Sequence, residues 1–164
     1  MPICSGFLVD DDILVTAAHC IADVDDCKRK KWVFDYVKGT EKIKKSNVYG
    51  CKEVLLRAEE ESKYKVTDYA VIRLDRKVEG REPLKMRKLG FPRIGSDLVV
   101  IGHPSGLPMK ISDGASVKWG FNKDEQISVL GTLFKRRYYF KANLDTFSGN
   151  SGSPVFNMKS GKVE

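Results

Sequence analysis

Short runs of β-branched and aromatic residues, cut at brief intervals by Gly, Pro, Asp and Asn, dominate the pattern of this chain. Cys4 to Val9 is rich in apolar positions, Asp10-Asp11-Asp12 signals a turn, and Ile13 to Thr16 follows as a second run, which together predict a hairpin. Further strands are predicted at Lys31 to Val37, Glu53 to Arg57, Tyr69 to Leu74, Asp97 to Gly102, Met109 to Ile111, Ala115 to Trp119, Ile127 to Leu133, Tyr138 to Ala142 and Pro154 to Asn157. Helical periodicity is nearly absent: Ala17 to Ala22 suits a single turn, and Glu59 to Tyr64 reads as a charged loop. Many short strands separated by turn signals imply an all-β barrel or sandwich.

The pattern loosens between Arg76 and Gly95 into Pro, Gly and charged residues, which suits a connection between two β units. The expected organisation is a first unit over 1–80, a connecting segment over 81–95 and a second unit over 96–164. No apolar run approaches the roughly 18 residues of a membrane-spanning helix, so no membrane partner is expected. The hydrophobic content of 41% and charged content of 31% are those of a folded chain rather than a disordered one.

The net charge of +7 gathers at Lys28 to Lys31, Lys42 to Lys45 and Lys135 to Arg137. Such clusters could draw nucleic acid, but no stacking aromatics or nucleic-acid motif accompany them. Solvated faces are the favoured reading, with no nucleic-acid partner. The four cysteines, Cys4, Cys20, Cys27 and Cys51, lack the spacing of a zinc site, so no metal or other cofactor is expected. Their even count suits an oxidising compartment and permits three pairings between which the spacing does not choose. The start of the chain has no basic head and apolar stretch of an export signal, so a secreted or periplasmic location needs a signal lying outside it.

Three segments carry candidate chemistry. Hydrolysis by a serine needs a hydroxyl beside a base, a carboxylate that orients the base, and donors aimed at the developing oxyanion. His19 lies in Thr16-Ala17-Ala18-His19-Cys20, Asp68 in Thr67-Asp68-Tyr69-Ala70-Val71-Ile72, and Ser151 in Ser148-Gly149-Asn150-Ser151-Gly152-Ser153-Pro154. Singly, each is better read as an ordinary structural residue. Together and in this order they resemble the motifs of the trypsin-like serine peptidases from about Cys4 to Asn157, and most closely the bacterial, glutamyl-endopeptidase-like branch with its Gly-Asn-Ser-Gly-Ser-Pro-Val. The order also separates the chain from α/β-hydrolases, which run Ser, acid, His and need Gly-x-Ser-x-Gly.

The resemblance implies two antiparallel β-barrels of the trypsin-like type, incomplete at both ends, with the active site in the cleft between them. It implies His19 as general base, Asp68 as its orienting carboxylate, Ser151 as nucleophile, and the N–H groups of Gly149 and Ser151 as the oxyanion hole, acting on polypeptide. It also implies a Cys4–Cys20 disulfide, which leaves Cys27 with Cys51. Asn150 stands where activated digestive members carry an aspartate, so activation through that ion pair is not expected. Asp145, six residues before Ser151, is a candidate for the floor of a specificity pocket selecting basic side chains, although a structural role is the favoured reading. His103 falls in a Gly-Pro loop and receives no catalytic role. Two other classes stand beside the endopeptidase: a catalytically silent relative or binding module on the same fold, and a nucleic-acid-binding β domain suggested by charge alone.

Overall fold

The computed structural model describes residues 3–61, 66–90, 92–118 and 140–164. Among the described residues, the fold comprises two curled antiparallel sheets. The first comprises β1 (Phe7–Asp10), β2 (Ile13–Thr16), β3 (Lys31–Val33), β4 (Val48–Glu61) and β5 (Val66–Leu74), in the spatial order β1-β2-β5-β4-β3. The second comprises β6 (Asp97–Gly102), β7 (Lys110–Lys118), β8 (Lys141–Ala142) and β9 (Val155–Asn157), in the order β8-β7-β6-β9. This is the all-β, two-unit architecture of the trypsin-like double barrel, each sheet closing part of a barrel.

Strand alternation builds each core. Leu14 and Thr16 of β2 and Ile72 and Leu74 of β5 face inward, joining Leu8, Ile21, Trp32, Tyr49 and Val78 in the first core. Among the described residues, Leu98, Ala115 and Val117 form a second core, with Phe140, Leu144 and Val155 against it. Burying a Leu or Ile side chain contributes about 1.5–3 kcal/mol, and among the described residues most of the buried Leu and Ile side chains lie in the first core.

Several sequence expectations need correction. Glu59 to Glu61 are not loop but the end of β4, where Glu59 lies opposite Asp68 and Glu61 opposite Val66. Cross-strand pairing with β5 overrides the unfavourable strand propensity of three glutamates. Lys110 and Ile111 of the first run and Ala115 to Lys118 of the second belong to one strand, β7, with Gly114 at φ +76° inside it and a register shift facing Leu98 and Val100. A short helix, α1 (Val24–Arg29), was missed. Asp23 caps it by accepting from the Asp26 N–H at 2.7 Å, and six residues are too few to show a helical period. The run Ile127 to Leu133, residues Trp119, Tyr138 and Tyr139, and the cluster Lys135 to Arg137 lie outside the described residues.

Both cysteine pairs are bridged, Cys4 to Cys20 with Cα atoms 6.1 Å apart and Cys27 to Cys51 at 5.1 Å. The second ties α1 to β4. The stretch between β5 and β6 bonds to both sheets' surroundings: the Leu84 N–H donates to the Leu8 carbonyl of β1, while the Arg87 and Val163 N–H groups donate to the Val163 and Lys85 carbonyls near β9. Arg87 also makes a two-point ion pair with the Glu164 carboxylate, which is fully buried.

Candidate active site

His19 and Asp68 are brought together by strand register. In the β2–β5 ladder Thr16 lies opposite Ala70, so β5 runs two residues past the end of β2 at Asp68. Residues two apart share a strand face, and Asp68 therefore continues the face of Ala70 and Ile72, both fully buried, out to the rim of the core. From Thr16 the other chain turns through Ala17 into a single 3-10 turn, Ala18–Cys20. Ala18 and Cys20 are buried on either side of His19 and anchor a turn that presents the imidazole outward.

The Asp68 carboxylate grips His19 at two points. Oδ1 accepts the His19 backbone N–H at 3.1 Å, and Oδ2 lies 2.6 Å from the ring Nδ1. The side chains are 48% exposed for His19 and 38% for Asp68, a rim position open to solvent and to a ligand. Partial burial by itself would raise the Asp68 pKa. The His19 N–H, the His19 ring and the Ala18 N–H together outweigh it and hold the carboxyl below its usual value. Asp68 is thus kept ionised, and an ionised carboxylate at Nδ1 favours the tautomer with its proton there, leaving Nε2 free to accept one.

Ser151 lies in a turn whose peptide planes are held one by one. Five consecutive carbonyls accept hydrogen bonds: Phe147 from the Asn150 N–H (3.0 Å), Ser148 from the Ser105 N–H, Gly149 from the Ser5 hydroxyl (2.8 Å), Asn150 from the Ser153 N–H (2.8 Å) and Ser151 from the Ser5 N–H (2.8 Å). In a trans peptide the N–H points opposite to the C=O. Holding the Ser148 and Asn150 carbonyls therefore turns the N–H groups of Gly149 and Ser151 away from those partners. Among the described residues, neither of these two N–H groups has an acceptor.

Glycine is required on both sides of Ser151. Gly149 sits at φ +96° and Gly152 at φ +81°, a region that side chains with a Cβ rarely adopt. A Cβ on Gly149 would overlap the His103 carbonyl, and one on Gly152 the Ser5 carbonyl and the Thr16 hydroxyl.

The Cys4–Cys20 disulfide ties the His19 turn to the segment that carries Ser5, whose N–H and hydroxyl bond to the Ser151 turn. Cys20 Sγ lies 3.9 Å from the Ser151 carbonyl, a contact and not a hydrogen bond, because a disulfide sulfur carries no hydrogen. The Cys4 and Cys20 sulfurs and a His19 ring nitrogen lie within 4.8 Å of one another. With both sulfurs oxidised, the group offers no thiolate to a metal.

Asp145 is exposed and borders a cavity of about 210 Å³ that Val100, Pro104, Lys110, Ser112, Phe147 and Asn150 also line. His103 bonds within its own loop, Nδ1 to the Leu107 carbonyl at 3.1 Å, and stacks on Tyr36. Ser5 was missed by sequence reasoning: it is 4% exposed, its N–H and hydroxyl both reach the Ser151 turn, and its carbonyl accepts the Thr16 hydroxyl at 2.7 Å. The available signal was a polar residue inside an otherwise apolar strand run.

No curated protein matches the chain. Among solved structures, the Rv3671c protease in its inactive form superimposes with a TM-score of 0.57 at 18% identity, covering 96% of this chain and 67% of that one. The active form of the same protease, from M. tuberculosis, superimposes with a TM-score of 0.53 at 18% identity, covering 96% of this chain and 59% of that one. At such identity the likeness is one of fold, and the chain spans about three-fifths to two-thirds of those proteins. The model of the trypsin-like peptidase domain matches residues 4–163, and this chain belongs to that family.

Proposed function

We propose that this chain carries a serine endopeptidase activity that hydrolyses polypeptides through His19, Asp68 and Ser151. The observation that carries the reading is the two-point hold of Asp68 on His19, with 2.6 Å between Oδ2 and Nδ1. His19 Nε2 takes the proton of the Ser151 hydroxyl as Oγ attacks the substrate carbonyl, and Asp68 stabilises the resulting imidazolium. The N–H groups of Gly149 and Ser151 receive the oxyanion of the tetrahedral intermediate. The amine leaves with the proton from His19, which gives an acyl-enzyme on Ser151. Water, deprotonated by His19, then releases the acid and restores the hydroxyl.

In this reading residues 1–80 form the unit bearing His19 and Asp68, 81–95 connect, and 96–164 form the unit bearing Ser151. The motif Gly149 to Val155 favours the glutamyl-endopeptidase-like branch. Asp145 borders the cavity next to the nucleophile turn, so its charge bears on which side chain is accepted there. The two disulfides suit a secreted or periplasmic location.

The test is labelling with a serine-directed fluorophosphonate. Ser151 should be the modified residue by peptide mapping, and His19→Ala should abolish the reaction while leaving the protein folded. A folded protein that takes up no label at Ser151 and cleaves no peptide would instead be a silent binding module.

A further inference from the structure

We infer that Ser5 is a positioning residue for the oxyanion-binding amides, its hydroxyl acting as a clasp between the loop at His103 and the turn at Gly149. This rests on the serine endopeptidase reading above and adds a residue that the reading does not use. Ser5 Oγ donates to the Gly149 carbonyl at 2.8 Å and accepts the His103 N–H at 3.1 Å. The same loop supplies the Ser105 N–H that holds the Ser148 carbonyl, with Ser105 at φ 52°. One buried hydroxyl therefore joins the two segments that set the peptide planes on both sides of Gly149.

The need for such a clasp follows from Gly149 itself. The close approach of the His103 carbonyl demands glycine there, and glycine has the weakest intrinsic preference for any one backbone conformation. The orientation of the Gly149 N–H has to be imposed from outside the residue. The Ser148 carbonyl is held by a backbone donor, but the Gly149 carbonyl is held by a side chain, the Ser5 hydroxyl. Without it, the peptide between Gly149 and Asn150 keeps only the bond from the Asn150 N–H to the Phe147 carbonyl, and the adjoining peptide, which carries the Gly149 N–H, keeps only the bond from the Ser105 N–H to the Ser148 carbonyl. The amide then spends less time aimed at the oxyanion. Substrate contacts elsewhere are unaffected, so the loss falls on the chemical step.

The experiment compares Ser5→Ala and Ser5→Gly with the wild type in the full-length protein. Competent sites are counted by exhaustive fluorophosphonate titration, so partial unfolding lowers the site count and not the rate per site. Per-site kcat should fall by about 10- to 100-fold in both variants, below the cost of deleting an oxyanion donor outright, with KM within about threefold of wild type. A peptide aldehyde, which forms a tetrahedral adduct on the serine, should lose affinity in parallel, while a non-covalent product peptide should not. Per-site kcat within threefold of wild type in either variant overturns the positioning role. Failure of the wild type itself to label at Ser151 is a different result: it refutes the proposed function and this inference with it.

Discussion

Replacing Asp68 by Asn keeps the size of the side chain and removes one acceptor, and its consequences separate catalysis from stability. Asp68 now receives two donors from one residue, the His19 N–H at 3.1 Å on Oδ1 and the ring Nδ1 at 2.6 Å on Oδ2. An amide offers one oxygen and one NH2 group. If the oxygen keeps the backbone N–H, the NH2 faces Nδ1, which must then be unprotonated, and the ring proton moves to Nε2. That is the atom that has to accept the Ser151 proton. The tautomer is wrong for general-base catalysis, and the expected loss in kcat is about 10⁴-fold, or about 5.4 kcal/mol in the barrier. The opposite amide orientation sets NH2 against the His19 N–H and is disfavoured.

The stability cost of the same change is much smaller. A hydrogen bond to a charged group contributes about 1.5–3 kcal/mol when buried. The Asp68 side chain is 38% exposed, and solvent screening reduces the figure to about 1 kcal/mol. The assay is kcat/KM on a peptide substrate together with the rate of fluorophosphonate labelling, and urea unfolding is followed on the same preparations. An activity loss of about four decades beside a stability loss of about 1 kcal/mol is the expected pair. Asp68→Asn that remains folded and keeps more than a tenth of wild-type kcat/KM would refute the orienting role of this carboxylate.

Two further predictions concern the frame around the site. The Cys27–Cys51 bridge spans 24 residues, and the loop-closure model gives about 3.5 kcal/mol for a loop of that length; the double variant Cys27→Ala, Cys51→Ala should lose that much in urea unfolding, and a loss below about 1 kcal/mol would show that other contacts hold α1 against β4. The Asp26 carboxyl, held down to about 2 by its hydrogen bond from Lys30, then by the Ala22 N–H and Arg29, has a folded-state pKa below the ordinary 3.8. Its contribution is therefore present above 3.8 and lost as pH falls through about 2. The difference in thermal midpoint between wild type and Asp26→Asn should be constant at neutral pH and shrink over that acid window; a gap that stays constant down to pH 2 contradicts the assignment.

Much of the fold was legible because its causes are local. Alternation in Ile13 to Thr16, Tyr69 to Leu74 and Asp97 to Gly102 directs one face of each strand inward, and a period of two survives in any strand with one buried face. The His19, Asp68 and Ser151 motifs are short for a similar reason: small residues beside His19 and glycines around Ser151 answer steric demands within a few positions. Sequence by itself thus determined the strand-rich class, the candidate side chains and the need for Gly149 and Gly152.

Contacts between distant segments were decided only in three dimensions. Strand status for Glu59 to Glu61 depends on the partner β5, whose residues are the ones that pair with them. Helix α1 owes its stability to the Asp23 cap, the ion pairs of Asp26 and a disulfide 24 residues away, none of which produces a period. The meeting of Asp68 with His19 needs β5 to overrun β2 by two residues, a matter of register. Ser5 is the clearest case: its partners Gly149 and His103 lie 144 and 98 positions away. A hydroxyl has no preferred partner along the chain, and only the packing of the two units determines which carbonyl it meets.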